Sequence, residues 1–220
     1  MSRLRRMLFL FRACKSAAAV SLAVLALGCN TGEGTGEVRS ERLFVEDCWN
    51  GPFNLQPDFF AAVPFEEETL FIRVQHGDDH EGVSDGLSVL VNELPNVRRN
   101  EIGIPITVGL PAGVSPPGVP LELEPDPPHV SLTLYLHDSC EAHTADLYSI
   151  SGTITFDSIF SGDLNEHDGA DRLTEAEFEA EFADPRKASP DGSFGEGLTS
   201  TVRGRFRFYF QRGQPAQPFL

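Results

Sequence analysis

Thr174–Phe182 reads TEAEFEAEF, and Val202–Phe210 reads VRGRFRFYF. Both stretches alternate with period two, because small, apolar or aromatic side chains hold the even positions and charged side chains hold most odd ones. This alternation predicts two half-buried strands, one with an acidic outer face and one with a basic outer face. Paired antiparallel, they would form a cross-strand charge ladder. We predict a register with Glu181 opposite Arg203, which also sets Glu179 by Arg205 and Glu177 by Arg207.

The same alternation recurs in short runs toward the N-terminus of the chain. Turn-forming residues separate these runs, notably in the proline-rich stretches 111–120 and 125–128. Many short strands divided by Pro and Gly are typical of antiparallel all-β folds. We therefore predict a single β-sandwich of about eight to ten strands over residues 42–220. The additional predicted strands lie in residues 70–75, 87–92, 104–108, 130–137 and 153–157.

Residues 1–28 have the pattern of an export signal. Arg3, Arg5 and Arg6 stand at the start, and no acidic residue occurs before Glu33. The apolar run Ala17–Gly28 then follows. A membrane-spanning helix needs about 20 apolar residues, so this shorter run predicts a secretory signal peptide in place of a permanent transmembrane anchor.

The end of that signal, Leu25-Ala26-Leu27-Gly28-Cys29, resembles the lipobox of bacterial lipoproteins. The resemblance covers the signal alone and implies cleavage before Cys29 and a lipid on that cysteine. An ordinary signal peptide followed by a chance cysteine is the alternative. Asn30, which is not Asp, implies the outer membrane by resemblance to the sorting rule of enteric bacteria. Residues 29–41, rich in Gly and poor in apolar residues, are predicted to be a flexible tether.

Charge and cysteine content narrow the classes of partner and the compartment. Residues 1–28 hold five of the 17 basic residues and none of the 33 acidic ones, so their removal changes the formal net charge from −16 to −21. Such an acidic surface argues against nucleic-acid binding. Without Cys14 and with Cys29 lipidated, Cys48 and Cys140 remain, and in an oxidising compartment they are predicted to form a disulfide. Two buried thiols are the alternative.

An acidic segment, residues 163–178, resembles an EF-hand calcium loop. Such loops supply alternating Asp or Asn ligands, a Gly at the turn and a final bidentate Glu. The segment departs from that pattern, since 15 residues instead of twelve run from Asp163 to Glu177 and a strand precedes it. An acidic surface loop is the alternative. The candidate Ca²⁺ ligands are Asp163, Asn165, Asp168, Asp171 and Glu177.

A second candidate metal site combines His76, Asp78 and His80. Histidine with carboxylates suits Zn²⁺ or another transition metal, but the spacing matches no zinc signature, and a solvated loop between strands is favoured. No motif for nucleophilic catalysis or phosphate binding is visible. We therefore expect a non-enzymatic cell-envelope lipoprotein, a binding or structural module with a protein or glycan partner. The alternative is a hydrolase that acts on carbohydrate or another envelope polymer with paired carboxylates.

Overall fold

A computed structural model describes residues 34–66, 68–77, 81–117, 127–140 and 145–211. Within them the chain consists mainly of β-strands joined by turns and short helical segments. The strands are β1 (Gly34–Val45), β2 (Trp49–Leu55), β3 (Phe59–Phe65), β4 (Thr69–Gln75), β5 (Asp85–Val91), β6 (Ile106–Thr107), β7 (Val130–Leu136), β8 (Asp146–Ser158), β9 (Leu173–Ala183) and β10 (Thr199–Tyr209). The helical segments are Glu81–Val83, Leu94–Asn96, Val97–Glu101, Gly169–Arg172 and Pro185–Lys187.

All ten strands belong to one antiparallel sheet. Their order is β2-β1-β10-β9-β8-β7-β5-β4-β3, and the short β6 pairs with β8 outside this path. The predicted all-β antiparallel class is therefore confirmed. The predicted sandwich is not, because the pairings run continuously along one curled sheet and do not divide into two packed sheets.

Chain connectivity requires the curl. The two edge strands, β2 and β3, are consecutive in the chain and only residues 56–58 separate them. Eight steps of about 4.8 Å would place the edges of a flat sheet about 38 Å apart, whereas the chain from Leu55 to Phe59 spans at most about 14 Å. The sheet must therefore bend until its edges approach each other. Phe60 of β3 accordingly stacks on Phe208 of β10, with ring centroids 5.6 Å apart.

The predicted charge ladder forms, but in a different register. β9 and β10 pair antiparallel, and Arg203 lies opposite Glu179, two residues away from the predicted Glu181. The predicted pairs Glu179 with Arg205 and Glu177 with Arg207 are wrong by the same shift. A two-residue shift leaves every side chain on its own face, so charge alternation does not distinguish the two registers.

Side-chain size on the core face explains the observed register. Phe178 lies opposite Gly204, and Phe206 lies opposite Ala176. The predicted register would have placed Phe178 against Phe206 and left two small residues facing each other. Since interiors are packed to high density without voids, alternating large and small partners is the better solution.

The first strand corrects the predicted tether. Residues 34–41 are part of β1, which pairs with both β2 and β10. Their glycines serve close packing here, because a Cβ on Gly34 would lie 2.6 Å from Cδ2 of Phe60. Gly34 and Gly36 therefore allow close approach of the Phe60 ring, and polar residues such as Glu37 and Arg39 occupy positions of a paired strand. Residues 30–33, Cys29 and the predicted signal peptide lie outside the described residues.

The other predicted strands match β4, β5, β7 and β8, and residues 174–182 are a strand as the alternation indicated. The run 104–108 contributes only the two residues of β6, because Ile104 points to solvent with 53% of its surface exposed. Cys48, after β1, lies at disulfide distance from Cys140, with Cα atoms 5.7 Å apart.

Candidate functional site

The outer face of β8, β9, β10 and β1 carries a dense array of charged side chains. We call it the ladder face. Core residues take the inward positions of β9 and β10. The outward positions of β9 between its ends are all Glu, and β10 has Arg at three alternate outward positions. The residues that define the ladder face are Thr153, Thr155, Glu175, Glu177, Glu179, Glu181, Thr201, Arg203, Arg205, Arg207, Glu37 and Arg39.

Three ion pairs cross this face. Arg203 contacts Glu179 at 2.9 Å, and Arg207 contacts Glu175 at 3.1 Å. Arg205 pairs with Glu37 of β1 at 3.2 Å. The hydrogen bond from Arg203 holds the pKa of Glu179 below its usual value. Exposed pairs of this kind add only about 0–1 kcal/mol each, so their main effect is to order the side chains.

One cross-strand pair on the ladder face brings like charges together. Arg39 of β1 lies directly opposite Arg203 of β10, and its other neighbour is the neutral Asn54 of β2. Among the described residues, no ion pair joins Arg39 to a carboxylate. Like charges directly opposite each other destabilise a sheet. Glu179 already neutralises Arg203, so Arg39 is the member of the pair at which an added anion would be favourable.

Shallow grooves surround this arginine pair. A groove of about 800 Å³ has charged residues of both signs in its lining, namely Arg39, Arg42, Arg203, Glu37, Glu41 and Glu181. A second groove, of about 380 Å³, shares Arg39 and Arg203. The β1–β2 pairing shifts register between Ser40 and Leu43, beside the first groove. The Ser40 hydroxyl donates a hydrogen bond of 2.7 Å to the Thr201 carbonyl and fixes the bulge against β10.

A buried polar cluster lies on the outer face of β4 and β7. Arg73 is only 1% exposed, and its guanidinium lies over the Phe59 ring at 5.3 Å and 3.9 Å from a Glu81 oxygen. The Tyr135 hydroxyl donates to the Gln75 side chain at 3.0 Å. Burial raises the pKa of Tyr135 far above its usual value. The alternation placed Arg73 outward, but the sequence carries no signal that this outer face is covered.

His137 joins two parts of the chain beside that cluster. Its Nδ1 lies 2.8 Å from the carbonyl oxygen of Glu81, and its Nε2 lies 2.8 Å from Asp146. Both ring nitrogens therefore have partners, and the ring ties the 81–84 turn to the start of β8. This arrangement is that of a structural cross-link.

Three of the five candidate calcium ligands each contact a different partner. Asp163 accepts a hydrogen bond from the Asn165 amide, and Asp168 accepts one from the Ala170 amide at the start of a helical turn. Asp171 contacts Arg98 at 2.5 Å, and Glu177 belongs to the ladder face. Within the described residues, no group of three or more His, Cys, Asp or Glu side chains is placed to hold a metal ion.

Glu166, which the sequence did not single out, organises the acidic loop. It accepts hydrogen bonds from the amides of His167 and Asp168, each at 2.9 Å, and from the Ser161 hydroxyl. These bonds stabilise the carboxylate and lower the pKa of Glu166.

The second predicted metal site is described only at His76. Its Nδ1 lies 3.6 Å from an oxygen of Asp58, which also accepts a hydrogen bond from the Gly77 amide. Asp78 and His80 lie outside the described residues, as does the predicted lipid attachment site, Cys29.

No helix among the residues described here is long and apolar enough to cross a membrane. Comparisons of the chain with protein-family models, with curated proteins and with solved structures find no match.

Proposed function

We propose that the mature protein is a lipid-anchored binding module of the bacterial cell envelope, and that it binds carboxylate or phosphate groups of an envelope polymer on the ladder face. The observation that carries the proposal is the opposed pair Arg39 and Arg203 beside two shallow grooves. Guanidinium groups bind carboxylate and phosphate through paired hydrogen bonds. Arg203 already pairs with Glu179, so Arg39 is the arginine of this pair that offers its guanidinium to a ligand.

The net charge limits the kind of ligand. At −21 after signal removal, the protein repels dense polyanions over a long range. The ligand is therefore a polymer with isolated anionic groups, such as a glycan whose peptide branches end in carboxylates. Its binding weakens with added salt, because exposed charge pairs are screened.

The same geometry favours binding over hydrolysis. Glycoside hydrolysis needs a carboxylic acid whose pKa is raised so that it can donate a proton. Arg203 instead lowers the pKa of Glu179. Arg207 forms an ion pair with Glu175. Arg203 therefore holds the Glu179 carboxylate ionised, which suits a surface that orders arginines and not a general acid at this position.

The anchoring part of the proposal rests on the resemblance of Leu25–Cys29 to a lipobox. A diacylglyceryl group with a further acyl chain holds a protein firmly, since each buried methylene contributes about 0.8 kcal/mol. The protein is then attached to the outer membrane without spanning it. A Cys48–Cys140 disulfide is compatible with this oxidising location.

Co-sedimentation with purified peptidoglycan sacculi tests the binding. The full lipidated protein in detergent is compared with Arg39→Ala, and with Arg186→Ala as the control, because Arg186 is an exposed arginine outside the ladder face. Loss of one charge-assisted contact, about 1.5 kcal/mol, should weaken binding about tenfold in Arg39→Ala and leave Arg186→Ala unchanged. Equal binding by all three proteins, or none by the wild type, would contradict the proposal.

A further inference from the structure

The chain between the lipidated cysteine and the sheet is short. The first residue of β1 is Gly34, five residues after Cys29. An extended chain covers at most about 3.3–3.6 Å per residue, so Gly34 lies within about 18 Å of the lipid-bearing residue. This distance follows from covalent geometry alone.

Gly34 lies at one end of the sheet. Gly34 pairs with Phe208 near the end of β10, and Tyr209 pairs with Leu173 at the start of β9. Ser158, the last residue of β8, pairs with Glu175 of β9. We call this side, where β1 and β9 begin and β8 and β10 end, the anchor end.

Apolar side chains are exposed at the anchor end. Leu164, 54% exposed, lies in the segment between β8 and β9. Ile104, 53% exposed, and Ile102, 38% exposed, flank Gly103, whose amide bonds the Phe156 carbonyl near the end of β8. Contiguous exposed apolar patches mark contact surfaces, and these three side chains lie at the same end of the sheet.

Phe65 extends this surface from the other side. It is 63% exposed, and the preceding Pro64 lies beside Gly162, close to Leu164 in the chain. Among the described residues, five large apolar side chains are exposed, and only Val83 lies elsewhere. Val83 precedes β5, whose first residue, Asp85, pairs with Leu136 at the opposite end of the sheet.

We propose that the anchor end docks on the membrane surface, with Leu164, Ile104, Ile102 and Phe65 in the interfacial region of the bilayer. The inference rests on the lipid anchor of the proposed function. The five-residue connection holds this end at the surface, and burial of apolar side chains in the interface adds to the binding of the lipid. The acidic protein fits an uncharged, zwitterionic headgroup layer. The strands then rise from the membrane and hold the ladder face upright beside it.

Tryptophan substitution with brominated lipids tests the docking. Leu164→Trp, Ile104→Trp and the control Val83→Trp are each made in the full protein, which is purified in its lipidated form and reconstituted in phosphatidylcholine vesicles. The emission of wild-type protein, which holds Trp49 alone, is subtracted. In vesicles, the tryptophan emission of Leu164→Trp and Ile104→Trp should be blue-shifted relative to the same proteins in detergent. Replacing the lipid with phosphatidylcholine brominated in its acyl chains should quench the emission of these two variants and leave that of Val83→Trp unchanged.

Two readouts separate this inference from the anchor on which it rests. Flotation of the vesicles and the mass of the N-terminal peptide report the lipid on Cys29. Protein that floats but shows no quenching at residues 104 and 164, or equal quenching at residue 83, overturns the docking and leaves the anchor intact. Protein that does not float and carries no lipid overturns both.

Discussion

The contact between Phe178 and Gly204 makes the register of β9 and β10 testable by a single methyl group. A Cβ on Gly204 would lie 2.5 Å from Cε1 of Phe178 and 2.8 Å from the carbonyl oxygen of Glu37. The ring has some freedom to move, but the Glu37 oxygen belongs to the β1 backbone, which is held by its ladder with β10. Gly204→Ala should therefore force a displacement in the centre of the sheet.

The expected magnitude follows from two opposing effects. Overpacking a close-packed core by one methyl group costs about 1–3 kcal/mol. Replacing Gly with Ala restricts the unfolded chain and returns about 0.4–1 kcal/mol. The net loss in the free energy of unfolding is then at most about 2.6 kcal/mol and centred near about 1.3 kcal/mol. At about 2–4 °C per kcal/mol for a domain of this size, the central value lowers Tm by about 3–5 °C.

Urea unfolding followed by the fluorescence of Trp49, the single tryptophan, measures this change. Trp49 packs edge-on against Phe53 at 5.8 Å, so its emission reports on the fold. Gly51→Ala is the matched control, because Gly51 is also a strand glycine but a Cβ added to it would meet nothing within 4 Å. It should be neutral or stabilising by up to about 1 kcal/mol.

A second variant identifies the partner of the clash. Phe178→Leu shortens the ring that meets Gly204, so it should cost less in the Gly204→Ala background than in the wild type, a coupling that a double-mutant cycle measures. If Gly204→Ala is as stable as Gly51→Ala, the size argument for the register is refuted. In the alternative register Gly204 would face Ala180, so an added methyl group would still meet the Glu37 oxygen but would show no coupling to Phe178→Leu.

Two further predictions concern the disulfide and acid stability. Cys48 and Cys140 are 92 residues apart, so reduction of their disulfide should lower the free energy of unfolding by about 4–5 kcal/mol on the chain-entropy model. The variant with both cysteines replaced by serine should show the same loss and no response to reductant. Wild-type stability in that variant would contradict the disulfide. Glu166, Glu179 and Asp191 have pKa values lowered by their hydrogen bonds. Because the folded state holds these groups ionised, their stabilisation is present above their usual pKa values and is lost as the pH falls below about 4.5. Glu166→Gln should flatten the dependence of Tm on pH in that range, and an unchanged acid profile would exclude Glu166 as a contributor.

The extent to which sequence predicted this protein is clearest in β9 and β10. The alternation in TEAEFEAEF and VRGRFRFYF predicted two strands, their antiparallel pairing and which face of each is buried. It did not predict that Glu179, and not Glu181, faces Arg203. The candidate site was missed for a similar reason, since Arg39 was assigned to a tether and its partner across the sheet is 164 residues away.

The sequence by itself determined the local choices where alternation is clean, as in β4, β5 and β7 to β10: strand against helix, and the inward and outward side chains. It missed β1, β2 and β3, and it predicts an export motif that ends at Cys29. These depend on period-two alternation and on composition, which act over a few residues. Only the tertiary structure decided the register, the curl of the sheet and the meeting of Arg39 with Arg203. Each of these depends on packing between distant segments, where a ring such as Phe178 needs a partner as small as Gly204 and where edge strands joined by three residues force the sheet to bend.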